Sequence, residues 1–224
     1  MKNLLVAIAC LGAIFAMSSC NEKTDEELVV ESVLDSLVSV SKSDGYTDLG
    51  LSVMWATKNL GAKKASAAGD YYAWGEMKSK KNYSWETYDF YGEDVLTKYD
   101  GKDGLSELKI DDDVVYNKLA ERYRIPTQKE WEELLKKCTW RWIRVAKGGK
   151  TIEGYVITGT NGNSIFLPAV GYYEGKKLKD ESAPFYWSST LDPSEPRNAW
   201  SMGFKAMGVS VRCHGRSIRP VYEE

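Results

Sequence analysis

Histidine is nearly missing from this chain of 224 residues: His214 is the only one. A single imidazole cannot supply a histidine-rich metal centre, and a His-based catalytic triad would have to be built around that one position. Excess charge of one sign is missing too. The 30 basic residues face 32 acidic ones, for a formal charge of −2 at pH 7, so no strongly basic face is offered to nucleic acid. Beyond Met17 no apolar run is long enough to span a hydrocarbon core as a helix. Asp100-Gly101-Lys102-Asp103-Gly104 lacks the alternating oxygen ligands and closing glutamate of an EF-hand. Asp111-Asp112-Asp113 reads as the acidic start of a helix, which the helix dipole favours. No metal and no cofactor is expected.

What is present begins with a leader. Lys2 is the only charge before Cys20, and an apolar stretch runs from Leu4 to Met17. A short positive region, an apolar core and small residues before a cut site make a secretory signal over residues 1–19. Met17-Ser18-Ser19-Cys20 resembles a bacterial lipobox. The resemblance implies that signal peptidase II cuts before Cys20 and that the Cys20 sulfur carries a diacylglycerol. The chain is then anchored to the membrane by lipid. The acidic run after Cys20 is similar to the export signals of lipoproteins sent to the cell exterior. The expected location is the outer membrane or cell surface.

Residues 20–45 read as a tether. Val30, Val33, Leu34, Leu37 and Val38 share one face of a helical repeat over residues 28–40, a stalk helix. Ser41 to Gly45 reads as a hinge. The globular part spans residues 46–224. All 8 tryptophans and all 14 tyrosines of the chain fall after the tether. This composition suits a loop-rich domain with an aromatic core and aromatic binding surfaces. Residues 51–56 read as a strand, and Asp111 to Tyr123 as a helix. Thr127 followed by Glu130 forms a capping box for a second helix with Trp131, Leu134, Leu135 and Cys138 on its buried stripe. The rest reads as short strands, with a hairpin turn at Thr160-Asn161-Gly162-Asn163. Helices first and antiparallel strands last predict an α+β domain.

An ordered series of motifs carries a family resemblance. Asp48-Leu49-Gly50-Leu51 with Trp55-Ala56 comes first, then Gly69-Asp70-Tyr71-Tyr72-Ala73-Trp74-Gly75-Glu76. Arg124-Ile125-Pro126-Thr127 with Glu130-Trp131 follows, then Asn163 to Ala169, Tyr186-Trp187-Ser188-Ser189, Asn198-Ala199-Trp200 and Ser217-Ile218-Arg219-Pro220-Val221. From Tyr46 to Tyr222 the chain resembles the FISUMP (Fibrobacter succinogenes major paralogous) domain. That likeness implies a C-type-lectin-like fold with its termini close together. The fold is shared by formylglycine-generating enzymes and by the variable proteins of diversity-generating retroelements, which display a ligand-binding face near their C-terminus.

The resemblance places a ligand-binding face in the segment from Leu191 to His214, on Asp192, Arg197, Phe204, Met207, Arg212 and His214. The aromatic stretch from Tyr83 to Tyr99 is the second location to consider. Trp187 and Trp200 are expected in the core. Lectin calcium sites resemble Glu-Pro-Asn followed by Trp-Asn-Asp; here Glu195-Pro196-Arg197-Asn198 carries an arginine that opposes a cation, and Trp200 precedes Ser201-Met202. Formylglycine-generating enzymes use a close cysteine pair, whereas Cys138 and Cys213 lie far apart in sequence. His214 beside Cys213 makes a poor dyad, because neighbours on a strand point to opposite faces. Lectin-like domains often bridge a helix to a late strand, and an exported compartment permits a Cys138–Cys213 disulfide. Family members often keep the first position without the second, so two free thiols are expected. The expected function is ligand binding, to a protein or a glycan, without catalysis. The alternative is a structural or adhesin subunit, and an enzyme of the formylglycine-generating type comes third.

Overall fold

Thr127 opens the longer helix as its sequence context requires. The structure, a computed structural model, describes residues 45–223 other than 120, 148 and 149. The leader, Cys20, the tether and the stalk lie outside the described residues. In helix α2 (Gln128–Lys137) the Thr127 side chain accepts a bond from the Glu130 N–H, and the Glu130 carboxylate accepts one from the Thr127 N–H at 2.7 Å. Arg124 clamps the same carboxylate at 2.5 and 2.8 Å. Trp131 and Leu134 are fully buried, with Leu135 and Cys138 partly so.

The first helix is shorter than expected. A 3-10 turn (Ile110–Asp112) precedes α1 (Val114–Leu119), and Tyr123–Arg124 is strand β5. Asp113 explains the start. Its carboxylate accepts from the N–H groups of Val115 and Tyr116, as an N-cap does, and from Ile125 in the chain beyond. Arg122 sits at φ +75°, which turns the chain into β5.

The strands form small antiparallel sheets. Strands β1 (Tyr46–Thr47), β2 (Met54–Ala56), β14 (Val221–Tyr222) and β5 share one sheet in the order β1-β2-β14-β5. The two ends of the domain therefore lie side by side, and the Tyr46 ring stands 5.8 Å from that of Tyr222. Strands β3 (Tyr91–Gly92) and β4 (Val95–Leu96) make a short hairpin, as do β9 (Tyr172–Glu174) and β10 (Lys177–Lys179). A meander joins β6 (Thr139–Lys147), β7 (Lys150–Thr158) and β8 (Ser164–Pro168), with the expected turn between β7 and β8. The last sheet is β11 (Phe185–Leu191), β12 (Asn198–Gly203) and β13 (Ala206–Val211) in that order. Among the described residues the fold is α+β and rich in loops.

Aromatic residues fill the space between these layers. Trp55 packs on Trp131 with ring centroids 4.7 Å apart, beneath α2. A second cluster gathers Tyr72, Trp74, Tyr99, Ile125 and Trp187. Trp187 is core as expected, but Trp200 is only half-buried. It stands opposite Val209 on β13, which is itself 47 % exposed, so the neighbouring strand gives it little cover.

Three arginines near the chain end are inside. Arg212, Arg216 and Arg219 are 0–4 % exposed. Arg219 works as a spacer: its nitrogens donate to Asn59 Oδ1 at 2.9 Å, Ala56 O at 2.8 Å and Phe166 O at 2.9 Å. It thereby joins the terminal sheet to β8.

Candidate functional site

Arg197 stands on the loop between β11 and β12, and its guanidinium lies over two rings. The Trp85 centroid is 5.2 Å away and the Tyr91 centroid 5.3 Å. Those rings also touch each other, at 5.0 Å. Ser84 begins the 3-10 turn that carries Trp85, with the Thr87 hydroxyl folded back to close it. Arg197 stays exposed. Of its side-chain nitrogens only Nη2 is engaged among the described residues, in long contacts of 3.3 Å to the Tyr91 hydroxyl and 3.5 Å to Asp94 O. A planar cation thus lies over two aromatic rings, with most of its donors free among the described residues.

The cation stands at the edge of a groove of about 270 Å³. One wall is the chain from Asp94 to Lys102, and the other is Glu195-Pro196-Arg197. Asp94, Asp100 and Glu195 bring carboxylates, Lys102 and Arg197 bring cations, and Val95, Leu96 and Pro196 bring apolar surface. Val95 is 59 % exposed. The Lys102 N–H donates to Asp100 at 2.8 Å and holds its carboxyl below the usual carboxylate range. Gly101 lets the walls approach. It sits at φ +82°, and a side-chain carbon there would come within 2.8 Å of Pro196 Cγ.

Arg212 fastens the two walls from behind. Its Nη1 donates to Tyr99 O and to Pro196 O, both at 2.8 Å, and its Nη2 to Lys98 O at 3.1 Å. Nε donates to the Tyr88 hydroxyl at 3.0 Å, and the Trp74 ring lies 4.8 Å from the guanidinium carbon. Arg212 is fully buried. Its expected place on an outer face is therefore corrected: the chain turns inward at Val211, and the side chain is consumed in holding the groove. Asp192 is corrected in the same way. It is 7 % exposed, and its carboxylate accepts the Ser194 N–H at 3.0 Å and hydroxyl at 2.6 Å, shaping the loop that carries Arg197.

The remaining expected residues are scattered. Phe204 is 67 % exposed at the tip of the β12–β13 hairpin, edge-on to Phe185. Met207 is half-buried against the cluster beneath α2. His214 stacks on Tyr172 at 5.6 Å, and burial, then Arg216, pushes its pKa down. So the six residues do not share one face. Arg197 reaches the groove, Asp192 and Arg212 support it, and Phe204, Met207 and His214 lie outside its lining. Sequence reasoning does not single out Trp85, Tyr91 or Asp94, and it takes up Asp100 only within the loop that lacks the ligands of an EF-hand. The first three fall within the Tyr83–Tyr99 stretch that its aromatic density marks, and Asp100 follows that stretch directly.

Cys138 and Cys213 are free thiols, and burial pushes their pKa up to about 11 and about 12. Cys213 packs with Ala73, Tyr83 and Tyr88, while neighbouring His214 goes to Tyr172. Among the described residues no group of three or more His, Cys, Asp or Glu side chains could hold a metal ion, and no helix is long and apolar enough to cross a membrane. No family model, curated protein or solved structure matches the chain.

Proposed function

We propose that this chain is a lipid-anchored surface protein that captures a protein or glycan ligand in the Arg197 groove and does no chemistry on it. The observation that carries the reading is the exposed guanidinium laid over Trp85 and Tyr91 beside an open groove. An arginine already held by two rings loses little entropy on binding, and Trp, Tyr and Arg are the usual anchors of interfaces. A C-type-lectin-like domain of the FISUMP kind is supported by the adjoining ends of the domain, the helix packed beneath its sheets and the loop-borne groove. The lipobox at Cys20 supports attachment at the outer membrane or cell surface.

A glycan array and a pull-down from surface extracts, both with the full chain carrying Cys20→Ala, test the reading. Arg197→Ala and Trp85→Ala are expected to weaken capture by roughly tenfold or more, as loss of an interface anchor does. Phe204→Ala serves as the surface control. Capture that survives both groove variants and fails with Phe204→Ala would move the site to the hairpin tip. The anchor is tested apart from the groove: Cys20→Ala should release the chain from membranes or leave an uncut precursor.

A further inference from the structure

The outer side of β13 is built as a pairing edge. Exposed strand edges invite pairing with other chains, and proteins blunt them with charge, proline, bulges, brevity or a cover. Other edges in this domain carry such protection. Strand β6 has Arg141 and Arg144, β10 has Lys177 and Lys179, and β1 and β5 are two residues each. Strand β8 ends in Pro168, and the outer side of β11 is met by Glu107 and Ser217. Strand β13, Ala206-Met207-Gly208-Val209-Ser210-Val211, has no charge, no proline and an unbroken register with β12.

The phase of its hydrogen bonding can be read from its neighbours. The Trp200 carbonyl accepts from the Ser188 hydroxyl on β11, and the Asn198 carbonyl accepts from the Asp192 N–H on the same side. Even-numbered residues of β12 therefore turn away from β13. In an antiparallel pair their partners turn away too. Those partners are Met207, Val209 and Val211. The Arg212 N–H donating to Arg197 O fits the same phase, as does the two-residue turn at Phe204-Lys205, with φ +49° and +58°.

We propose that β13 pairs antiparallel with β13 of a second copy of this chain. The occupant follows from symmetry. Outward groups must meet outward groups, and a twofold axis through Val209 does this. It sets Val209 against the partner's Val209 and the Met207 carbonyl against the partner's Val211 N–H, the Val211 carbonyl being already engaged by the His214 N–H at 3.1 Å. No charge stands within the paired strands, and the cross-strand valines are a favourable β-branched pair. Val209 is 47 % exposed, and a side-chain carbon at Gly208 would meet nothing within 4 Å, so neither residue blocks the approach. Twofold pairing is the commonest closed assembly of identical chains. The proposal does not depend on the Arg197 groove.

The test uses the full chain carrying Cys20→Ala, by sedimentation velocity across roughly two decades of micromolar concentration. A reversible dimer is expected. Val209→Pro removes an outward N–H that β12 does not use, so it should abolish the dimer with little change in melting temperature. Val209→Lys, which leaves the backbone intact, should raise the dissociation constant by about tenfold or more. Amide exchange reads the contact directly: Val209 should gain protection as concentration rises, while Gly208 and Ser210, bonded to β12, stay protected throughout. A chain that is monomeric throughout, a dimer indifferent to both variants, or a Val209 amide whose exchange ignores concentration would each overturn the proposal.

Discussion

Replacing Arg212 by methionine isolates the role assigned to that side chain. Methionine keeps the apolar stem and removes the donors. Tyr99 O, Pro196 O and Lys98 O then lose a partner inside the domain, together with the Tyr88 hydroxyl. An orphaned buried acceptor costs roughly 1–3 kcal/mol. The loss of the cation over the Trp74, Tyr88 and Tyr99 rings adds about 1–2 kcal/mol. Against this stands relief from burying a cation that no carboxylate pairs among the described residues. The net should be about 3–5 kcal/mol, the range for breaking a buried charged network. For a domain of this size each kcal/mol is ~2–4 °C of melting temperature, so the loss should be on the order of 10 °C. Thermal melts and urea titrations of Arg212→Met beside Arg197→Met measure it. The exposed Arg197 variant should stay within about 1 kcal/mol of the parent. A melting curve for Arg212→Met that overlays the parent would refute the claim that this arginine fastens the groove.

Three further outcomes follow from the same structure. Cys138 and Cys213 should resist alkylation at pH 8 in the native chain and react after denaturation without reductant, because burial holds both thiols protonated; a linked peptide pair in mass spectrometry would contradict this. His214 has a folded pKa below its ordinary value, from burial first and then Arg216, opposed by Glu174. The unfolded chain therefore binds its proton more readily, and stability should fall as pH drops through and below about 6.5. His214→Asn should lose part of that slope between pH 7.5 and 5.5, and an identical slope in both proteins would remove His214 as its source. Gly101→Ala should destabilise by roughly 1–2 kcal/mol through its left-handed backbone and the Pro196 contact, and it should widen the groove; unchanged melting would show that the walls part at no cost.

Local signals are readable from sequence, and long-range ones are not. The α2 start is legible because Thr127 and Glu130 sit three residues apart and bond each other. The β7–β8 hairpin is legible because its turn chemistry is contiguous. The end of α1 is not, since Ile125 beyond it is drawn back to the Asp113 carboxylate at its start and Arg122 takes a left-handed turn, neither of which the local pattern announces. The groove joins Asp94–Lys102 to Glu195–Arg197, segments remote in sequence, so no motif could announce it. Alternation along β12 and β13 tells which side chains share a face but not which face is covered. For that reason Trp200 on β12 reads as core and is only half-buried, and Arg212, just past β13, reads as exposed and is buried.

Arg216 should behave unlike Arg212, although both are buried arginines of the same segment. Its guanidinium lies among the rings of Tyr172, Phe185 and Trp187 at 4.8–5.1 Å. Its Nε and Nη1 are buried without an acceptor among the described residues. Burial pushes its pKa from the ordinary guanidinium value down to about 10, with Tyr172 and Asp180 opposing. That displacement corresponds to a cost on the order of 3 kcal/mol for keeping the charge inside. Three aromatic faces return about 2 kcal/mol or somewhat more when desolvated. The two nearly cancel, and no carbonyl depends on these two nitrogens. Arg216→Met should therefore leave stability within about 1 kcal/mol of the parent, or raise it slightly, as apolar replacement of buried charge often does. Because the folded pKa is depressed, the cost of the native arginine is present below pH ~10 and fades as pH rises toward the unfolded value. Urea titrations of Arg216→Met and Arg212→Met at neutral pH compare the two directly. Equal, large losses in both would show that the rings around Arg216 hold more of the fold than their number suggests.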